Sequence, residues 1–218
     1  MDDHQGRPGR TARQAAIRSG LLALLAGLTL AGSAAAEDRL SSARRLGAEL
    51  LILDGDVREL IAGRARPLER EGLVLQLQGA LSSLPLTLRR AGADPQSASA
   101  LRSHLERKDW QAFKAALAPL LRRYPFAAPF LALPSTPQGI ASGLALHKEI
   151  CATCHDADWG DVRLPAKNLA AMAARQPRTE FAARLWLGVR GTREHAYANP
   201  FSDEELASLL AYYEKVRP

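Results

Sequence analysis

The residues with the most specific chemistry in this chain lie in the segment 151–155, which reads C-A-T-C-H. Its thiols, Cys151 and Cys154, are the only two cysteines of the 218 residues. Thiols at this spacing share one helical turn, where each can form a thioether with a haem vinyl group while His155 binds the iron. A redox C-x-x-C pair and a zinc site are the alternatives. A zinc site requires further ligands at ordered spacing and a redox pair requires a βαβ context, so the motif predicts one covalent haem c.

The N-terminus has the pattern of an export signal. Residues 1–36 contain four arginines, then an apolar core at 21–30, then three alanines that fit an A-x-A cleavage site before Glu37. The apolar core is too short to span a membrane comfortably, although an uncleaved signal anchor is the alternative. Covalent haem is attached after export in bacteria, so the export signal and the C-x-x-C-H motif predict the same compartment. We expect a soluble periplasmic protein with no stable membrane insertion after cleavage.

Composition narrows the classes of partner. The chain carries 29 Lys and Arg against 23 Asp and Glu, a formal net charge of +6. This mild excess is weak support for an acidic partner, and no basic run with interleaved aromatic residues predicts nucleic-acid binding. We therefore expect a protein partner and no nucleic acid.

Residues 37–132 carry helical periodicity and no strand-like alternation, which predicts a helical bundle domain. We expect Pro67 to open the second helix, Ser97 to cap the third and Asp109 to cap the fourth. Apolar residues from Leu40 to Ile61 keep an approximately helical period, which predicts the first helix. No metal-ligand cluster or nucleophile–base pair is evident in this bundle, and we expect it to serve as a docking or dimerisation module.

A proline-rich segment at 133–137 predicts a linker, because proline cannot continue a helix. Residues 138–218 after it begin with an apolar helix that leads into the C-x-x-C-H motif. They end in an amphipathic helix, for which Ser202 and Glu205 form a capping box.

This C-terminal part resembles a class I cytochrome c domain of the small, single-haem bacterial kind. The resemblance implies an all-α haem domain, and together with the helical bundle before it we expect an all-α chain overall. It also implies that Gly143 lets the first helix of the domain cross its last helix closely. In the family, a proline about ten residues after the haem histidine lets a backbone carbonyl accept the imidazole N–H, and Pro165 fits this role. The family usually has an aromatic residue four positions before the first cysteine. Here this is His147, which we expect to substitute in packing.

The sixth iron ligand departs from the family pattern. Class I cytochromes place a methionine just before the last helix, where this chain has Ala198. His195 lies in the same loop and is our expected ligand, with Met172 as the runner-up. An open site, or weak ligation by Tyr197, Asn199 or water, is the remaining alternative.

These observations predict an electron-transfer protein that exchanges single electrons with a periplasmic redox partner, docked through the N-terminal bundle. On this prediction it is a carrier or an electron-transfer subunit and has no substrate of its own. An open sixth position instead predicts a haem-based binder or sensor of small gases. The haem subunit of an oxidoreductase is a further alternative, with chemistry at the iron.

Overall fold

The computed structural model of the protein describes residues 40–157, 160, 162, 165–188 and 201–216. The predicted signal peptide, residues 1–36, lies outside this range. The described residues form helices and turns and no strand, which confirms the predicted all-α class. Contacts between Cα atoms place Ser42–Pro218 in one compact unit. Over the described ranges, no helix is long and apolar enough to cross a membrane.

Four helices make up the N-terminal part of the described chain. They are α1 at 40–62, α2 (Pro67–Arg90), α3 (Ser97–Glu106) and α4 (Trp110–Arg123). Their core is mostly leucine, and several of these side chains are completely buried, namely Leu46, Leu50, Leu77, Leu84, Leu88, Leu101 and Leu117. Burial of each stabilises the fold by about 1.5–3 kcal/mol relative to an exposed side chain. Leu40 and Ile61, at the two ends of the periodic stretch, are 69% and 38% exposed.

The helix boundaries largely follow the predicted signals. Pro67 is the first residue of α2, where a missing N–H costs no intrahelical bond. The Asp109 side chain accepts a hydrogen bond from the main-chain N–H of Ala112 and caps α4, as predicted. The prediction for Ser97 is wrong, because Gln96 occupies the cap position and Ser97 is already the first helical residue.

The C-terminal part is a second set of helices. A 3₁₀ turn (Pro129–Ala132) precedes α5 (Pro137–Leu146), which continues through one π-helical turn (His147–Cys151) into α6 (Ala152–His155). Then follow α7 (Leu169–Arg175), α8 (Arg178–Leu187) and α9 (Asp203–Lys215). The capping box predicted for α9 is confirmed: Ser202 accepts from the N–H of Glu205, and Glu205 accepts from the N–H of Ser202.

Helices α5 and α9 cross at Gly143, as the resemblance implied. A Cβ atom built on Gly143 would lie 2.1 Å from the main-chain oxygen of Ser208 and 2.8 Å from the Cβ of Tyr212. No side chain fits at such distances, so a glycine at this position permits the close approach of the two helices. This crossing places the end of α9 beside the C-x-x-C-H segment.

The first helix of the N-terminal part packs on α8 of the C-terminal part. Ala48 of α1 lies in one apolar cluster with Ala183 and Leu187 of α8. Gly47 lies against the main chain of Phe126, where an added Cβ would come within 2.9 Å of it. The predicted boundary at 133–137 stays a prediction, but the residues on its two sides share this interface.

Buried charges lie across the same interface. Asp56 and Glu180 are 4% and 2% exposed, and Arg184 binds both carboxylates at 2.8 Å. Arg58 donates to Glu180 as well, and to Asp54 at 3.0 Å. Burial raises the pKa of Asp56, although the guanidinium of Arg184 opposes the shift. A buried charge is tolerated only when it is paired, so these contacts favour one arrangement of α1 and α8.

Candidate functional site

The C-x-x-C-H segment forms the end of one continuous helical stretch. The thiols of Cys151 and Cys154 are both in the reduced form, Cys154 exposed and Cys151 half-buried. His155 is the last residue of α6 and is also half-buried. The π-helical turn before α6 contains an extra residue, and such turns are frequent at functional sites. The structure therefore presents all three predicted attachment residues in one continuous helical stretch, with Cys151 at the end of the π-helical turn and the other two on α6.

The imidazole of His155 is held by the main chain. Its Nδ1 lies 2.7 Å from the main-chain oxygen of Lys167. A carbonyl oxygen can only accept, so Nδ1 carries the proton and Nε2 carries the lone pair that a metal would bind. Histidines that ligate metals almost always donate their other N–H in this way, which orients the ring and raises its basicity.

The carbonyl that binds His155 lies two residues beyond Pro165. Pro165 is exposed in the non-helical segment before α7, and the sequence did not identify Lys167 as the acceptor. Asn168 follows Lys167 and connects this non-helical segment to α6. Its side chain caps α7 by accepting from the N–H of Ala171 at 3.0 Å and donates to the main-chain oxygen of His155 at 3.4 Å. The loop is thus bound to both ends of the histidine.

His147 packs in the helix crossing, but it also has polar partners that the sequence did not reveal. It is 4% exposed, and its ring packs edge-on against Tyr213. Its Nδ1 lies 2.8 Å from the hydroxyl of Tyr213, and its Nε2 lies 2.7 Å from Oδ2 of Asp156. One signal was available: a histidine in place of a buried aromatic residue needs hydrogen-bond partners for two ring nitrogens.

The Cys151 thiol lies at the edge of the apolar cluster that contains Tyr213. Burial raises the pKa of this thiol, and a hydrogen bond with the hydroxyl of Tyr213 opposes the shift. Burial likewise raises the pKa of Tyr213. Both groups are therefore protonated at neutral pH. Cys154, three residues away, is exposed.

Of the two candidate sixth ligands, only Met172 lies among the described residues. Met172 is half-buried on α7 and packs against the apolar cluster of the C-terminal part. His195, like Ala198, Tyr197 and Asn199, lies outside the described residues. Both ligand assignments stay predictions. Within the described ranges, no group of three or more His, Cys, Asp or Glu side chains is arranged to hold a metal ion.

The donors present fit a covalently bound haem. Two reduced thiols can form thioethers. The imidazole of His155 donates from Nδ1 to the main-chain oxygen of Lys167, which leaves Nε2 free to bind iron. No protein-family model, curated protein or solved structure matches this chain. The likeness to class I cytochrome c therefore depends on the motifs of residues 138–218 and stays a prediction.

Proposed function

We propose that this protein is an exported c-type cytochrome that carries one covalent haem and exchanges single electrons with a periplasmic redox partner. The observation that supports it best is the bond from His155 to the oxygen of Lys167. Histidines that ligate a metal almost always donate their second ring N–H to such an acceptor. Local sequence does not dictate it, because the two residues are separated by twelve positions.

The chain's own residues have distinct tasks in this proposal. Cys151 and Cys154 tether the group, and His155 ligates the iron through Nε2. The main-chain oxygen of Lys167 orients the ring and raises its basicity, so that the imidazole is a stronger ligand for iron. A more basic ligand favours the oxidised iron and lowers the reduction potential. The haem itself supplies the one-electron chemistry when it is bound. The protein then acts as a carrier or electron-transfer subunit.

The attachment is tested by expressing the full chain, with its leader, in a bacterium that matures c-type cytochromes. We expect haem that stays on the polypeptide after denaturation, and a protein recovered from the periplasm without residues 1–36. Cys151→Ala combined with Cys154→Ala abolishes the covalent haem. A parent protein that carries zinc, or no haem at all, would contradict the proposal.

The sixth ligand separates the carrier from the gas-binding alternative. We expect the oxidised parent to be low-spin, without the near-infrared methionine–iron band, and His195→Ala to make it high-spin. Met172→Ala is the matched variant and leaves the spectrum unchanged. A high-spin parent that binds carbon monoxide or cyanide readily would instead favour the sensor or an oxidoreductase subunit.

A further inference from the structure

Helix α2 has an outer side that the packing of the described chain does not use. Its inner side is buried in the core of the N-terminal part, through Leu73, Leu77, Leu81, Leu84 and Leu88. The outer side carries a stripe at successive spacings of four, three and four residues, formed by Leu75, Gly79, Ser82 and Leu86. At 3.6 residues per turn, this stripe lies opposite the buried leucines. Leu75 and Leu86 are 60% and 45% exposed, so much of each side chain is open to solvent.

The outer side of α2 also lacks charge. No Asp, Glu, Lys or Arg occurs from Gly72 to Leu88, which is 17 residues or about 25 Å of helix. The side of a helix that faces water ordinarily carries charged and polar residues. Here the charges lie at the two ends, where the exposed Glu71 precedes the stretch and the exposed Arg89 follows it. An uncharged side with leucines at this spacing is typical of a surface that another helix covers.

The stripe is complementary to itself when one copy is reversed. In an antiparallel pair centred between residues 80 and 81, Leu75 of one copy lies opposite Leu86 of the other. Gly79 then lies opposite Ser82, and these small residues in the middle allow the helices to approach until both leucine pairs touch. Each contact occurs twice about a two-fold axis. The same patch therefore serves both copies, as a closed dimer requires.

The charges at the ends of α2 fit the same arrangement. Glu71 and Arg89 are 18 residues apart, which is five turns, so they lie on the same flank of the stripe. The two-fold axis keeps each flank on its own side and brings Glu71 of one copy beside Arg89 of the other, twice. Neither side chain forms an ion pair within the described part of the chain. A parallel pair would instead bring like charges together.

We infer that this protein forms a homodimer through antiparallel α2 helices, which pack along the stripe and are oriented by two ion pairs between Glu71 and Arg89. A contact along one helix of about 25 Å is smaller than the standard interface, in which each partner buries about 800 Å². The dimer is therefore concentration-dependent. The inference needs no haem and is independent of the proposed function.

Exchange of the two end charges tests the arrangement. Sedimentation over a wide range of concentration measures the dimer dissociation constant of the protein purified after expression of the full chain. Glu71→Arg brings two arginines together and Arg89→Glu brings two glutamates together, so each variant alone should raise this constant by on the order of tenfold. A mixture of the two variants pairs each arginine with a glutamate. The mixture should therefore dimerise like the parent.

The apolar contact is tested by Leu75→Asp, which places a carboxylate against Leu86 of the second copy and should leave the protein monomeric. Leu133→Asp is the matched control, since Leu133 is 39% exposed and lies outside the four N-terminal helices. Arg175→Glu is the control for reversing a charge in the last turn of a helix. Both controls should dimerise like the parent, and circular dichroism checks that each variant keeps its helices.

Three results would overturn the inference. One is a parent that stays monomeric at the highest concentration, in which case the stripe is left for another protein or a lipid surface. Another is a folded Leu75→Asp variant that dimerises like the parent. The third is a mixture of the two charge variants that dimerises no better than either alone, which would exclude the antiparallel pairing. If Leu75→Asp does not fold, the charge exchange decides, because Glu71 and Arg89 are exposed at the ends of α2.

Discussion

Gly143 faces the main-chain oxygen of Ser208 so closely that a Cβ atom on the glycine would lie 2.1 Å from it. This contact sets the distance between α5 and α9. One turn further along the same helical stretch, His147 meets Tyr213 of α9. The missing side chain at Gly143 and the polar contacts beside Cys151 therefore belong to one helix crossing.

Gly143→Ala should destabilise the protein by about 1–3 kcal/mol or more, because the methyl group forces the two helices apart. Chemical unfolding followed by circular dichroism measures the change. Gly79→Ala on α2 is the matched control, since a Cβ there meets nothing within 4 Å. It should stabilise the protein by about 0.5–1 kcal/mol through helix propensity. Two substitutions with the same sign and size would contradict the close crossing.

Arg184→Met should lower the free energy of unfolding by about 3–5 kcal/mol, because it leaves the buried carboxylates of Asp56 and Glu180 without their shared cation. The same measurement on Arg64→Met provides the comparison. Arg64 pairs with Glu59 at 3.2 Å on the surface, so its loss should cost less than about 1 kcal/mol. Equal losses would show that the charges between α1 and α8 are solvated.

Asn168 has two functions that substitution can separate. Asn168→Ala should cost about 0.5–2 kcal/mol, since α7 loses its cap. Asn168→Asp keeps the capping oxygen but loses the amide donor to the oxygens of His155 and Asp156, and sets a carboxylate against Asp156. Unfolding measurements should show a pH-dependent loss for the aspartate variant and a pH-independent one for alanine. Parental stability in both variants would contradict the assigned contacts.

The pH dependence of stability should carry a signature of Asp56. Burial raises the pKa of this carboxyl above its usual 3.8 in the folded state, so the folded protein binds the proton more tightly than the unfolded chain. The carboxyl's destabilising contribution is then complete above the folded pKa and fades as the pH falls towards 3.8. Relative to Asp56→Asn, the parent should gain stability as the pH falls from neutral to about 4.

Glu69 provides a control of opposite sign. Hydrogen bonds from the side chain and main chain of Arg66 lower the pKa of Glu69 below its usual 4.5. Its stabilising contribution is present above 4.5 and is lost as the pH falls through the folded pKa. Relative to Glu69→Gln, the parent should therefore lose stability in acid. If both comparisons moved in the same direction, the assignment of Asp56 would be wrong.

Local sequence signals predicted where the helices begin. They did not predict which residues at the ends of a helix are exposed, because that depends on the neighbouring helices. Pro67, Asp109 and the Ser202–Glu205 box mark helix starts because each acts within its own first turn. Leu40 and Ile61 fit the helical period of α1 but lie at the margins of the buried face. Periodicity describes a face of one helix and does not say how far the partner helices extend over it.

The sequence by itself determined the all-α class, most helix starts and the one segment where two thiols and an imidazole share a turn. These depend on spacing and capping, which act over three or four residues. Only the tertiary structure decided which carbonyl binds His155, that Tyr213 and Asp156 satisfy His147, and that Arg184 pairs with Asp56. Such partners lie between 9 and 128 residues apart and meet through helix packing angles, which no local pattern encodes.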